Sequence, residues 1–220
     1  MVLKSRFYFT ILIFMNLSTF FSQEEEVTFY KEIKPKHTYN LDFALPVSLS
    51  NKVFKGIMQG FIRFSGSYQY SLKNNFYMGL GGNYTYFQVN RFKISPQIRG
   101  GMHLANGYLK LGCEKYYSER IGLDVGIKAG GSQVIFHSDS LIKQTKTYAN
   151  LIEPYFSFCL TGSHNTAYKW TLGYTFLGLG FYPQRIGDDE NVDYPTSEYK
   201  RITQFLSFGF SFSHYFKQQD

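Results

Sequence analysis

The stretch LSFGFSFSHYF, Leu206 to Phe216, decides how the chain is read. Phe208, Phe210, Phe212 and Phe216 fall on one phase of a two-residue alternation, and Ser207, Gly209, Ser211 and Ser213 fall on the other. Successive side chains of an extended strand point to opposite sides, so this segment presents one aromatic face and one face of very small polar groups. The core of a soluble sheet would draw on a mix of aliphatic residues. A bare aromatic face backed by Ser and Gly suits a wall with hydrocarbon outside and a crowded interior inside.

The same alternation recurs upstream. Tyr39, Leu41, Phe43, Leu45 and Val47 oppose Asn40, Asp42 and Ala44. Met58, Ile62, Phe64, Tyr68, Tyr70 and Leu72 are read as sharing a face against Gln59, Arg63, Ser65, Ser67 and Gln69. Phe76, Met78, Leu80, Tyr84 and Tyr86 run in phase in the next segment, and Leu109, Leu111, Cys113 and Tyr117 oppose Lys110, Gly112 and Glu114 in the one after it. Ile121 to Ala129 alternate with Gly122, Asp124, Gly126 and Lys128. Ile152, Phe156, Phe158 and Leu160 oppose Glu153, Tyr155, Ser157 and Cys159, and Trp170, Leu172, Tyr174 and Phe176 oppose Lys169, Thr171, Gly173 and Thr175. With Leu206–Phe216 this makes eight strands.

Their connections alternate in length. KNN (73–75), SER (118–120) and the GSHNTAY region are short, whereas 89–101, 137–149 and 183–200 are long, and the first connection, near SNKVFK, is intermediate. Short turns on one rim and long loops on the other are the pattern of a transmembrane barrel, and each segment is long enough for the roughly 9–11 residues a tilted crossing needs. The fold class expected is all-β: an eight-stranded antiparallel up-and-down transmembrane β-barrel over 38–216, with a C-terminal tail at 217–220.

Charges inside the strands sharpen this reading. Asp42, Arg63, Lys110, Glu114, Asp124, Lys128, Glu153 and Lys169 all lie on the polar phase. A Lys or Arg facing mid-bilayer would cost about 2–4 kcal/mol, whereas an eight-stranded lumen is just wide enough for side chains to fill it. These residues are expected to form a charge network inside, with Gly112, Gly122, Gly126, Gly173 and Gly209 making room where walls approach.

The leader MVLKSRFYFTILIFMNLSTFFS has a basic start (Lys4, Arg6), an apolar run and a small-residue end, so residues 1–22 are expected to be a cleaved signal peptide and 23–37 a periplasmic segment. The formal charge of +7 includes Lys4 and Arg6, and no dense Lys/Arg run exists, so nucleic acid is not an expected partner. The two cysteines, Cys113 and Cys159, fall on opposite faces of non-adjacent strands and read as free thiols.

Leu206–Phe216 resembles the C-terminal assembly signal of outer-membrane barrels, in which Phe208, Phe210, Phe212 and Phe216 would be the recognised aromatics, although Lys217–Asp220 follow. With the leader and strand layout, the mature chain resembles small OmpA/OmpX-type barrels, and its Phe/Tyr/Lys/Asn-rich composition is similar to those of Bacteroidetes. The resemblance implies a Gram-negative outer membrane with both termini periplasmic, and outer-membrane lipids and the barrel-assembly machinery as partners; any extracellular partner is unidentified. It implies a structural, adhesive or loop-binding role with a side-chain-filled lumen. A lipid-modifying hydrolase or acyltransferase, a narrow porin-like pore and a subunit of a larger envelope assembly remain alternatives.

Little points to chemistry. His137, Ser138 and Asp139 are the residue types of a nucleophilic hydrolase, but neighbours along a strand point apart, so they are weak catalytic candidates. His37, His103, His164 and His214 lack metal-ligand spacing. Asp188, Asp189, Glu190 and Asp193 read as a solvated acidic loop. No cofactor and no metal is expected.

Overall fold

A computed structural model describes residues 36–90, 98–118, 120–141, 144–163, 165–187 and 195–216. The leader, most of the 23–37 segment, His164, the Asp188–Asp193 acidic group and the 217–220 tail lie outside them. The chain forms eight strands: β1 (His37–Ser50), β2 (Met58–Ser71), β3 (Phe76–Val89), β4 (Gly100–Tyr116), β5 (Ile121–Ser138), β6 (Thr145–Ser163), β7 (Thr166–Gly180) and β8 (Ile202–Phe216). Each pairs antiparallel with the next, and β8 pairs back onto β1, so the sheet closes with no free edge. Closure satisfies the ladder without water, a requirement for any sheet surrounded by hydrocarbon.

The chain enters at His37 and leaves at Phe216, which are register partners on one rim. The tight turns lie on that rim. In the β2–β3 turn, Asn74 (φ 59°) and Asn75 (φ 65°) adopt the left-handed conformation that Asn tolerates and that matches the twist of the flanking strands. The opposite rim carries the longer connections. Two of them fold into short elements, α1 (Lys52–Ile57) and, between β7 and β8, a 3-10 turn (Pro183–Ile186) followed by α2 (Thr196–Tyr199).

The outward phase is apolar around the wall: Leu45 is 62% exposed, Leu80 60%, Leu109 68% and Phe210 57%. No aqueous surface is covered this way by side chains of that size, and together they form a membrane-facing belt. Tilted and T-shaped ring pairs, such as Phe43 on Phe64 and Trp170 on Phe210, knit neighbouring strands along it.

Two features depart from the alternation read in the sequence. Alternation puts Met58 on the outer face with Phe64, but it is buried inside with Arg63. A register shift between Gly60 and Ile62 accounts for this, because one extra residue lets two positions an odd number apart share a face. Gly60 is needed there: an added Cβ would lie 1.7 Å from the Pro46 carbonyl oxygen.

The second departure is at the loop rim, where the inward phase stops being polar. Phe87 and Val89 follow Asn83 and Thr85 on the same face of β3; Met102 and Leu104 precede Asn106 on β4; Val134 and Phe136 follow Ser132 on β5. These side chains meet Val53, Phe54 and Ile57 of α1, which turns into the barrel mouth. Asn51 caps α1, its side-chain oxygen accepting from Phe54 N at 3.1 Å, while its Nδ2 donates to Arg201 O at 3.0 Å. A chain of rings crosses the opening: Phe205 on Phe87, Phe87 on Phe54, Phe54 on Phe181, and Phe181 on Phe136, with centroids 5.0–6.0 Å apart. An apolar lid therefore seals one end of a polar lumen.

Candidate functional site

Below the lid, the in-strand charges meet across the lumen in two groups. In the upper group Glu153 is central. Its carboxylate lies 2.7 Å from Arg63 Nη2 and 3.1 Å from Lys128 Nζ, and it accepts from Thr175 Oγ1 at 2.7 Å. Arg63 also donates to Ser207 Oγ at 2.9 Å. In the lower group Lys169 lies 3.1 Å from Glu114 and 3.3 Å from Asp124, and Lys110 lies 3.7 Å from Asp124. Lys110 donates to Gln69 Oε1 at 3.2 Å, and Gln69 Nε2 donates to Glu114 at 3.1 Å.

These groups are almost wholly withdrawn from water: Arg63 is 3% exposed, Asp124 and Glu153 1%, Lys169 2%. An isolated charge so placed would be prohibitive, and the arrangement holds because each has an opposite partner and additional hydrogen bonds. Asp42 is different. It is only partly buried and makes no direct ion pair among the described residues. It lines, with Arg63, Lys128 and Glu153, a cavity of about 20 Å³, room for a single water.

Inward tyrosines complete the packing. Tyr77 hydroxyl donates to Asp124 and also bonds to Tyr155 hydroxyl. The Tyr116 and Tyr215 hydroxyls lie against each other and against Glu114 Oε1, 2.8 and 3.2 Å away. The Lys110 ammonium sits 4.9 Å from the ring centres of both Tyr77 and Tyr155, and Lys128 sits 5.3 and 5.0 Å from those of Tyr108 and Tyr155. Of these, only Tyr155 is among the polar-phase residues read from the sequence. The others carried a usable signal, because Tyr77 is out of phase with Phe76 and Met78, and Tyr116 is in phase with Glu114.

Cys159 is buried on the inner face and Cys113 lies on the outer, both as free thiols. Phe208, Phe210, Phe212 and Phe216 line the outer face of β8, with Phe216 edge-on to Tyr39 across the closing seam.

At the loop rim the fold does not assemble His137, Ser138 and Asp139 into a relay. Ser138 Oγ accepts from Ser140 N at 3.1 Å, and Asp139 N donates to Arg99 O at 2.9 Å. His137 turns outward instead, its Nδ1 2.9 Å from Nε2 of His103, whose Nδ1 is hydrogen-bonded to the Tyr84 hydroxyl. Among the described residues no group of three or more His, Cys, Asp or Glu gathers as metal ligands.

No protein-family model and no curated protein sequence matches the chain. Solved structures do. Neisserial surface protein A superposes with a TM-score of 0.56 at 9% identity, covering 82% of this chain and 97% of that one. The attachment invasion locus protein of Yersinia pestis gives 0.46 at 12% identity over 83% and 99%, and OprG of Pseudomonas aeruginosa gives 0.47 at 8% over 84% and 98%. The likeness to the neisserial protein is one of fold: a small eight-stranded outer-membrane-type barrel.

Proposed function

We propose that this chain is an integral outer-membrane barrel with a sealed lumen, and that its work is binding or adhesion through the connections on its loop rim. The observation that carries this reading is the double filling of the interior. Ion pairs and tyrosines occupy the middle, and the Phe54–Phe87–Phe136–Phe181–Phe205 lid closes the mouth. A solute would have to break both layers, which argues for a rigid mount and against a pore. Ser138 uses its hydroxyl within its own turn, so the rim geometry favours binding over lipid hydrolysis.

In this reading both termini face the periplasm, residues 1–22 direct export, and Phe208, Phe210, Phe212 and Phe216 present the final strand to the assembly machinery. Planar-bilayer recordings of the folded protein are expected to stay silent across a wide voltage range. Reproducible single-channel steps would overturn the sealed-lumen reading. Replacing the 139–144 and 188–195 connections by short Gly/Ser turns should abolish attachment to the ligand-bearing surface while leaving the heat-sensitive gel mobility of the folded barrel unchanged. Unaltered attachment would move the function away from the loops.

A further inference from the structure

The fold brings together two imidazoles that lie 34 positions apart in sequence. His103 on β4 pairs in register with Ile135 on β5, and His137 is one side-chain step further along the same outer face. Their facing nitrogens, His103 Nε2 and His137 Nδ1, are 2.9 Å apart, and the ring centroids 4.7 Å. Tyr86 flanks both rings, with centroids 4.9 Å from His103 and 6.3 Å from His137. Tyr84 hydroxyl bonds to the far nitrogen of His103. With Nδ1–H donating to that hydroxyl, His103 presents the lone pair of Nε2 toward His137, the way an outer-sphere partner fixes the tautomer of a ligating histidine.

The geometry points to a surface site for a divalent late first-row metal ion, held by His103 Nε2 and His137 Nδ1 and oriented by Tyr84. An ion about 2.0–2.1 Å from each nitrogen subtends roughly 90° at the observed 2.9 Å separation. That is the cis angle of a tetragonal Cu(II) or Ni(II) centre; a tetrahedral Zn(II) centre would require the nitrogens to spread by about 0.4 Å. Binding replaces the shared hydrogen bond: the proton on His137 Nδ1 moves to its other ring nitrogen, both imidazoles stay neutral, and each ring turns by about 45° to bring its lone pair from the facing ring onto the ion. Both rings are partly exposed on the outer face at the loop rim, so protein leaves the remaining coordination positions uncovered.

The test uses the full-length folded barrel in detergent micelles, free of any histidine tag, titrated with copper(II), nickel(II) or zinc(II) chloride. One equivalent of copper is expected to bind with a tetragonal electron-paramagnetic-resonance spectrum coupled to two imidazole nitrogens, and zinc to bind more weakly. His103→Gln and His137→Gln should each lower copper affinity at least tenfold and leave one coupled nitrogen. Tyr84→Phe should lower it by about tenfold or more with both nitrogens retained. His37→Gln and His214→Gln should change nothing. Heat-sensitive gel mobility verifies that each variant is folded. Folded His103→Gln or His137→Gln protein that keeps full affinity, or a wild-type spectrum without two coupled nitrogens, would overturn the proposal.

Discussion

Glu153→Gln tests the lumen network most directly. The change preserves side-chain volume and leaves an oxygen for Thr175, but it removes the one carboxylate between Arg63 and Lys128, which lie 2.7 and 3.1 Å away. Both cations are nearly waterless, at 3% and 5% exposure, and besides the new amide Arg63 keeps its hydrogen bond to Ser207. Removing one member of a buried ion pair strands the other and typically destabilises by about 3–5 kcal/mol. The barrel can be folded into lipid vesicles and unfolded with urea, with the single tryptophan, Trp170 on the lipid face, as reporter. The midpoint should fall with little change in slope, the signature of altered stability rather than altered compactness. Adding Lys128→Met removes one stranded charge and should recover about 1 kcal/mol or more. Asp42→Asn, at the acid without a direct ion partner among the described residues, should cost about 1 kcal/mol or less. A Glu153→Gln protein within about 1 kcal/mol of wild type, or a second substitution that only worsens it, would refute a lumen held by desolvated ion pairs.

The lid, the wall and the glycines give three further expectations. Phe54→Ala empties a fully buried site that touches Phe87 and Phe181, and should cost about 3–5 kcal/mol in the same urea assay while bilayer recordings remain silent, because the ion-pair layer beneath still blocks the lumen. Phe210→Lys places a charge on the lipid face midway along β8 and should cost about 2–4 kcal/mol, whereas Tyr148→Lys, 76% exposed at the loop rim, should cost about 1 kcal/mol or less. Gly107→Ala and Gly131→Ala add a Cβ where nothing lies within 4 Å and should be neutral or stabilising by about 0.5–1 kcal/mol; Gly60→Ala, pressed against Pro46, should prevent folding as judged by heat-sensitive gel mobility.

Much of the barrel is legible in the sequence. Phase alone places Asp124, Lys128, Glu153 and Lys169 on the inner face and Phe208, Phe210 and Phe212 on the outer one, and the sorting of short and long connections foretells the two rims. What misleads is any local irregularity. The extra residue, Phe61, in the β2–β3 ladder reverses the phase of Met58, and the alternation rule does not register an insertion; Gly60 beside it admits the close approach of the Pro46 carbonyl on β1. The lid is equally hidden: Val53, Phe54 and Ile57 sit in the intermediate first connection, which has no strand alternation, and Phe87, Phe136 and Phe205 fall on the nominally polar phase. They are tolerated there because they bury one another.

The division follows from the range of the forces involved. Which side of the wall a residue occupies depends on the backbone two positions either way, so the bare chain already carries it. Who stands opposite whom depends on the stagger with which β8 closes on β1. Arg63 reaches Glu153 across 90 positions, Lys169 reaches Asp124 across 45, and His137 lands beside His103, through pairings that exist only once the cylinder is shut. In a lumen with almost no water, those encounters determine whether a buried charge is stable or intolerable, and they are a property of the closed sheet alone.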